Sequence, residues 1–194
     1  MKKTLLSLLA LLAISEAGNA QVSGMNIGYC QGNAGAFPST ENNYFSDMST
    51  KKKTWTSCAI LLKEERIKSL SGNQIQEVKA ALTSKLNVDS LAVWVSESLD
   101  GPVLSSDTIT TMQKGWNTVK LSKAVDITNG MKKLYIGYSY HQKSTCKAMS
   151  CLETGVPGFS CFTRSGNDEW KDYSETLTVC VEANVYGDNL PKYD

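Results

Sequence analysis

The chain has 194 residues, with 20 Lys+Arg against 19 Asp+Glu, 41% hydrophobic and 20% charged residues. A formal charge of +1 supplies no basic face for nucleic acid or for an anionic membrane surface. The ordinary apolar fraction excludes disorder, collagen and coiled coil, and the length suits a single hydrophobic core.

Residues 1–20 have the form of a secretory signal peptide. Lys2 and Lys3 give the charged start, Leu5 to Ala13 the apolar run, and Gly18-Asn19-Ala20 the small residues before a cleavage at Gln21. The apolar run is shorter than the roughly 20 residues a membrane-spanning helix needs, so no membrane insertion is expected after cleavage. The expected location is outside the cytoplasm: secreted, at the cell surface or periplasmic. Residues 21–53 form an N-terminal extension that ends in the solvated run Lys51-Lys52-Lys53.

The β-branched and apolar run Thr54 to Leu62 opens the folded module. Gln74 to Leu86 is ambiguous, because Ile75, Val78, Ala81, Leu82 and Leu86 fall at helical spacing inside an otherwise strand-like chain. Leu91, Val93 and Val95 then alternate with Ala92 and Trp94 up to the turn residues Asp100-Gly101-Pro102. Trp116 to Leu121 and Ala124 to Ile127 read as two short strands, and Leu134, Ile136, Tyr138 and Tyr140 as one buried face of another. Leu177, Val179, Val181, Ala183 and Val185 give the clearest period of two. Short strands with Gly, Asn, Asp and Ser turns predict an all-β fold over 54–187, an antiparallel β-sandwich of jelly-roll type with a possible short helix. Residues 188–194 are a tail or linker remnant.

Six cysteines, Cys30, Cys58, Cys146, Cys151, Cys161 and Cys180, follow the leader, an even number in an oxidising compartment, which favours disulfides. Six allow 15 pairings, and spacing does not choose among them. A zinc set of His141 with Cys146, Cys151 and Cys161 is the rival, though it lacks a C-x-x-C knuckle. There is no phosphate loop, nucleophile elbow, HExxH or EF-hand pattern. The sole imidazole, His141, sits at a strand end, so no catalytic residue is assigned and the chain is read as a non-enzyme. Large rings carry the binding signal: Trp170 in a polar loop, Tyr173 beside it, and Trp55. Asp100, Asp168 and Glu169 are the acidic loop residues that can offer oxygen to a structural Ca²⁺; no other cofactor is indicated.

The pieces Gly72-Asn73-Gln74-Ile75, Ala92-Val93-Trp94-Val95, Gly115-Trp116-Asn117-Thr118-Val119-Lys120-Leu121, Leu134-Tyr135-Ile136-Gly137-Tyr138 and Ala183-Asn184-Val185-Tyr186-Gly187 resemble a known kind of module. These are the β-sandwich accessory modules found with streptopain-like cysteine proteases and gingipain-type adhesins of gut and oral anaerobic bacteria. The resemblance runs from about Trp55 to Gly187. It implies a non-catalytic role in adhesion or in binding an extracellular glycan or protein, and it favours a strand for Gln74 to Leu86. The alternative it implies is a protease-associated module that inhibits a cysteine protease or docks its substrate. The protease residues of those systems have no counterpart here, and six cysteines exceed the usual number.

Overall fold

The computed structural model describes residues 24–37 and 53–191. The signal peptide, most of the N-terminal extension and the last three residues lie outside them. Twelve strands are found among the described residues, every pairing antiparallel, and they form two facing sheets. The first sheet has the order β1 (Gly24–Gly28), β12 (Val181–Tyr186), β3 (Gln74–Leu82), β6 (Gly115–Asp126). The second has the order β10 (Lys171–Asp172), β9 (Phe162–Ser165), β2 (Thr54–Leu61), β7 (Tyr135–Gln142), β4 (Val88–Ser96), β5 (Val103–Ile109). A small ribbon of β8 (Cys151–Leu152) and β11 (Thr178–Val179) lies beside them. The expected antiparallel β-sandwich is what forms.

Alternation explains how the sheets meet. Ile60, Leu91, Val93, Val95, Ile136, Tyr138 and Tyr140 of the six-stranded sheet face Ile75, Val78, Leu82, Val119, Val181, Ala183 and Val185 of the four-stranded one in one buried cluster. Each large side chain removed from water contributes roughly 1.5–3 kcal/mol, so this layer is the main source of stability.

Gln74–Leu82 is a strand, and its helical spacing has a local cause. The register shifts between Ile75 and Glu77 on both flanks: against β12 Gln76 is the extra residue, while against β6 the excess residues, 121–124, are on β6. This β-bulge puts Ile75 and Val78 on the same face although they are three apart. The same irregularity crosses into β6, where Lys120 pairs with Glu77 but Val125 with Ile75. One long strand therefore mimics the two short ones expected at 116–121 and 124–127. The helix lies elsewhere: α1 (Glu64–Ser69) closes one end of the sandwich by burying Ile67, with Leu70 just behind it. Residues 24–28, placed by sequence in the extension before the module, form β1, which pairs with β12 from Gly24↔Tyr186 to Gly28↔Glu182. Five residues without a clean apolar alternation gave no strand signal, and the partner backbone supplies the order instead.

Candidate functional site

The outer surface of the six-stranded sheet is built by register. Directly opposed residues share a face, and one row across it reads Arg164, Ser57, Ser139, Ala92, Thr108. The next row reads Phe162, Ala59, Gly137, Trp94, Ser106. Small side chains on three neighbouring strands leave a trough, and large ones on either side wall it. Trp94 lies across Gly137, where an added Cβ would come within 2.6 Å of indole atoms Cε2 and Cη2. Only glycine admits the ring at that place. The indole is held there by donating from Nε1 to Ser139 Oγ at 3.1 Å, and Ser139 Oγ in turn shares a 2.8 Å hydrogen bond with Ser57 Oγ.

The far wall comes from the turn after β9. Trp170 meets Trp94 edge-on, with ring centroids 6.1 Å apart and planes at 66°. The Arg164 guanidinium stacks on Trp170 at 4.7 Å from the ring centre and donates from Nη1 to Asp100 Oδ1 at 3.0 Å. Asp100 itself is 75% exposed, so one carboxylate oxygen and a guanidinium edge stand together at the rim. These groups, with Ser96, Ser98, Leu99 and Val103, enclose a groove of about 340 Å³. Four buried polar atoms among the described residues lack a hydrogen-bond partner, and all lie on β9 or its turn: Thr163 Oγ1, Ser165 Oγ, Arg164 Nε and Trp170 Nε1. Two of them belong to the groove wall.

The structure treats the sequence candidates unequally. Trp170 and Asp100 are brought together, Asp100 as the ion-pair partner of Arg164. Trp55 is 40% exposed on the same face, two residues from Ser57, and packs at 5.4 Å from the His141 ring. His141 Nδ1 is 2.7 Å from Asp89 Oδ1, which holds the Asp89 carboxyl below its usual range. Tyr173 does not join the groove; it packs against the interior cluster, because the turn that returns the chain to Cys161 tucks it inward. Asp168 and Glu169 are exposed in the turn before β10. No group of three or more His, Cys, Asp and Glu side chains among the described residues is placed to hold a metal ion, which applies equally to the zinc set His141, Cys146, Cys151 and Cys161.

The cysteines expected to be disulfides are six separate thiols, all buried. Two pairs nevertheless touch: Cys30 with Cys180, and Cys151 with Cys161. Cys58 is hydrogen-bonded to Tyr138, and Cys146 donates to Gln142 Oε1 at 3.6 Å.

Sequence reasoning missed Trp94, Arg164 and the serine row. Trp94 sits in an apolar strand, the setting of an interior ring, and at 8% exposure it is largely covered, yet its ring forms the groove floor. Arg164 carried a usable signal, being one of only two arginines in a lysine-rich chain; arginine is the residue suited to planar stacking and forked hydrogen bonding. No model of a known protein family matches the chain, and no curated protein matches it significantly.

Proposed function

We propose that the chain is a secreted, non-catalytic module that binds an extracellular glycan in the groove between Trp94, Trp170 and the Asp100–Arg164 pair. The observation that carries this reading is the combination in one cavity of two indoles, a paired carboxylate and guanidinium, and a row of hydroxyls. A sugar offers the complement, with an apolar C–H face for an aromatic ring and neighbouring hydroxyls that donate to a carboxylate and accept from a guanidinium. The mutual neutralisation of Asp100 and Arg164 favours an uncharged ring over an anionic one.

Size favours a glycan over a protein partner. The groove volume of about 340 Å³ falls in the roughly 300–1,000 Å³ range of small-ligand sites. A stable protein interface needs about 800 Å² from each side. The orphan Trp170 Nε1 and Arg164 Nε strengthen the reading, since a buried donor without an acceptor costs about 1–3 kcal/mol that a ligand oxygen, after a small wall movement, recovers. The signal-peptide pattern of residues 1–20 supports a location where glycans are met. No helix of the described residues is long and apolar enough to cross a membrane.

A glycan array of neutral and acidic oligosaccharides, run beside immobilised host-matrix proteins, tests the proposal. Neutral glycans are expected to bind, and Trp170→Ala is expected to weaken that binding roughly 30-fold, the effect of removing an aromatic hot spot. Asp100→Asn, at an exposed position that leaves the packing intact, should weaken it as well. An array blank for glycans, or Trp170→Ala and Asp100→Asn both binding as wild type, overturns it.

A further inference from the structure

We infer that the chain is matured by two specific disulfides, Cys30–Cys180 and Cys151–Cys161, with Cys58 and Cys146 remaining thiols. Of the 15 pairings that six cysteines permit, the fold sets Cys30 beside Cys180 in one small buried cluster and Cys151 within hydrogen-bond reach of Cys161, while Cys58 and Cys146 are hydrogen-bonded to Tyr138 and Gln142.

The Cys30–Cys180 site is built from three directions. Cys30 follows β1 and lies with Cys180 and Ala81 in a small cluster separate from the main core. Its Sγ is 3.5 Å from Glu182 Oε1 and 3.8 Å from the Val181 carbonyl oxygen, so it sits directly over the start of β12. Cys180 is the residue between β11 and β12, and its Sγ accepts from Gly35 N at 3.3 Å. The segment that carries Cys30 is pinned in place. Gly32 N donates to Glu182 Oε1 at 2.6 Å, Trp116 Nε1 to Gly32 O at 2.9 Å, and Ser150 Oγ to Gly35 O at 2.7 Å. Gly35 lies so close to the Cys151 carbonyl that no side chain fits there. The backbone thus fixes both cysteines without the help of a bond between them.

In the folded chain the Cys30 thiol, the Ser150 hydroxyl and the Gly35 N–H hold the Cys180 thiol below its usual range. With glutathione disulfide as oxidant, the thiolate of one cysteine attacks one sulfur, forming a mixed disulfide and releasing one glutathione thiolate. The other cysteine, losing its proton to solvent or to that leaving thiolate, then displaces the second glutathione from its partner. Two protein thiols become one disulfide, and one glutathione disulfide becomes two glutathione thiols. Both sulfurs are buried once the 29–37 segment is seated, so the exchange belongs to folding and the finished bond is shielded from reductant.

The second pair joins the β8 ribbon to the chain entering β9. Cys151 is in register with Val179, whose N–H donates to Ser160 O at 3.0 Å, next to Cys161. The two remaining thiols are occupied by Tyr138 and Gln142.

The test is to refold the full chain in mixed reduced and oxidised glutathione, alkylate it, and map disulfides by non-reducing peptide mass spectrometry. Expected are the Cys30–Cys180 and Cys151–Cys161 peptides, with Cys58 and Cys146 alkylated. Six alkylated cysteines or any other connectivity overturns the inference. Mapping the chain secreted into a bacterial periplasm answers the same question where refolding from denaturant fails. As a second readout, the oxidised chain should melt on the order of 10 °C above the chain refolded in dithiothreitol, since the 30–180 bridge closes a very long loop. The Cys30→Ser/Cys180→Ser double variant should lose most of that difference. Equal melting of the oxidised and reduced wild type contradicts the inference.

Discussion

Replacing Glu182 by alanine is expected to lower the free energy of unfolding by about 1–3 kcal/mol, the cost of leaving hydrogen-bonding partners without their acceptor. Glu182 is 1% exposed, although it stands at an alternating position of a strand whose neighbours are apolar. Its carboxylate receives Asn26 Nδ2 at 2.5 Å, Gly32 N at 2.6 Å and Lys79 Nζ at 3.0 Å, so it joins β1, the turn after it, β12 and β3. Alanine would take the shared acceptor from an ammonium, an amide and a backbone N–H, which tie three segments together through it. Chemical denaturation of the wild type and the variant measures the difference, and a loss under 1 kcal/mol would refute the role. Lys79→Met together with Glu182→Leu should recover part of the loss, because both charges then leave together.

The same residue sets a pH dependence. Burial alone raises the Glu182 carboxyl, but Gly32 N–H, the Asn26 amide and the Lys79 ammonium outweigh it and leave the group below its ordinary value. A carboxyl depressed in the folded state adds stability that is fully present above the unfolded value, about 4.3, and is lost as pH falls through the lower folded value. Wild-type stability should therefore drop more steeply below about pH 4.3 than that of Glu182→Gln, whose neutral amide has nothing to titrate. Parallel acid limbs for the two proteins would show that the depressed pKa has no energetic weight.

Gly137→Ala should damage the fold and the groove together. The added methyl meets the flat of the Trp94 indole, which is tied at its other edge to Ser139. The ring must lift out of the trough or the β7 backbone must yield, and overpacking of this kind costs about 1–3 kcal/mol. Either movement also takes the floor away from Trp170 and the serine row, so glycan binding on the array should fall at least as far as in Trp170→Ala. Gly130→Ala is the matched control, since a Cβ there meets nothing within 4 Å. Wild-type stability and binding in Gly137→Ala would mean that Trp94 is not fixed where the structure places it.

Much of the sandwich was legible from period-two runs, because a face that packs on another sheet must be apolar at every second residue. Leu91, Val93, Val95 and Leu134, Ile136, Tyr138, Tyr140 read correctly for that reason. The signal failed where backbone geometry breaks the period. The bulge at Gln76 turned a strand into a helix-like pattern, and β1 took its order from β12 without a pattern of its own. The groove was half legible. Trp170 and Asp100 stood out as an aromatic and an acid in polar turns, but their union through Arg164 is a tertiary fact, since Asp100 lies in the turn between β4 and β5 and Arg164 on β9, three positions from β4 in the sheet order. The serine row is invisible in sequence because its members come from β2, β7 and the strands beside them, one residue at a time.

The most direct measurement is a two-dimensional ¹H–¹⁵N titration of the isotope-labelled protein with a neutral oligosaccharide that scores on the array, following the four indole Nε1–H signals. Binding in the groove predicts that the Trp94 and Trp170 signals shift in a saturable way while that of Trp116, held to Gly32 O on the other sheet, stays fixed. Shifts confined to Trp116, or saturable binding that leaves Trp94 and Trp170 unmoved, would contradict the assignment of the outer face of the six-stranded sheet as the binding surface.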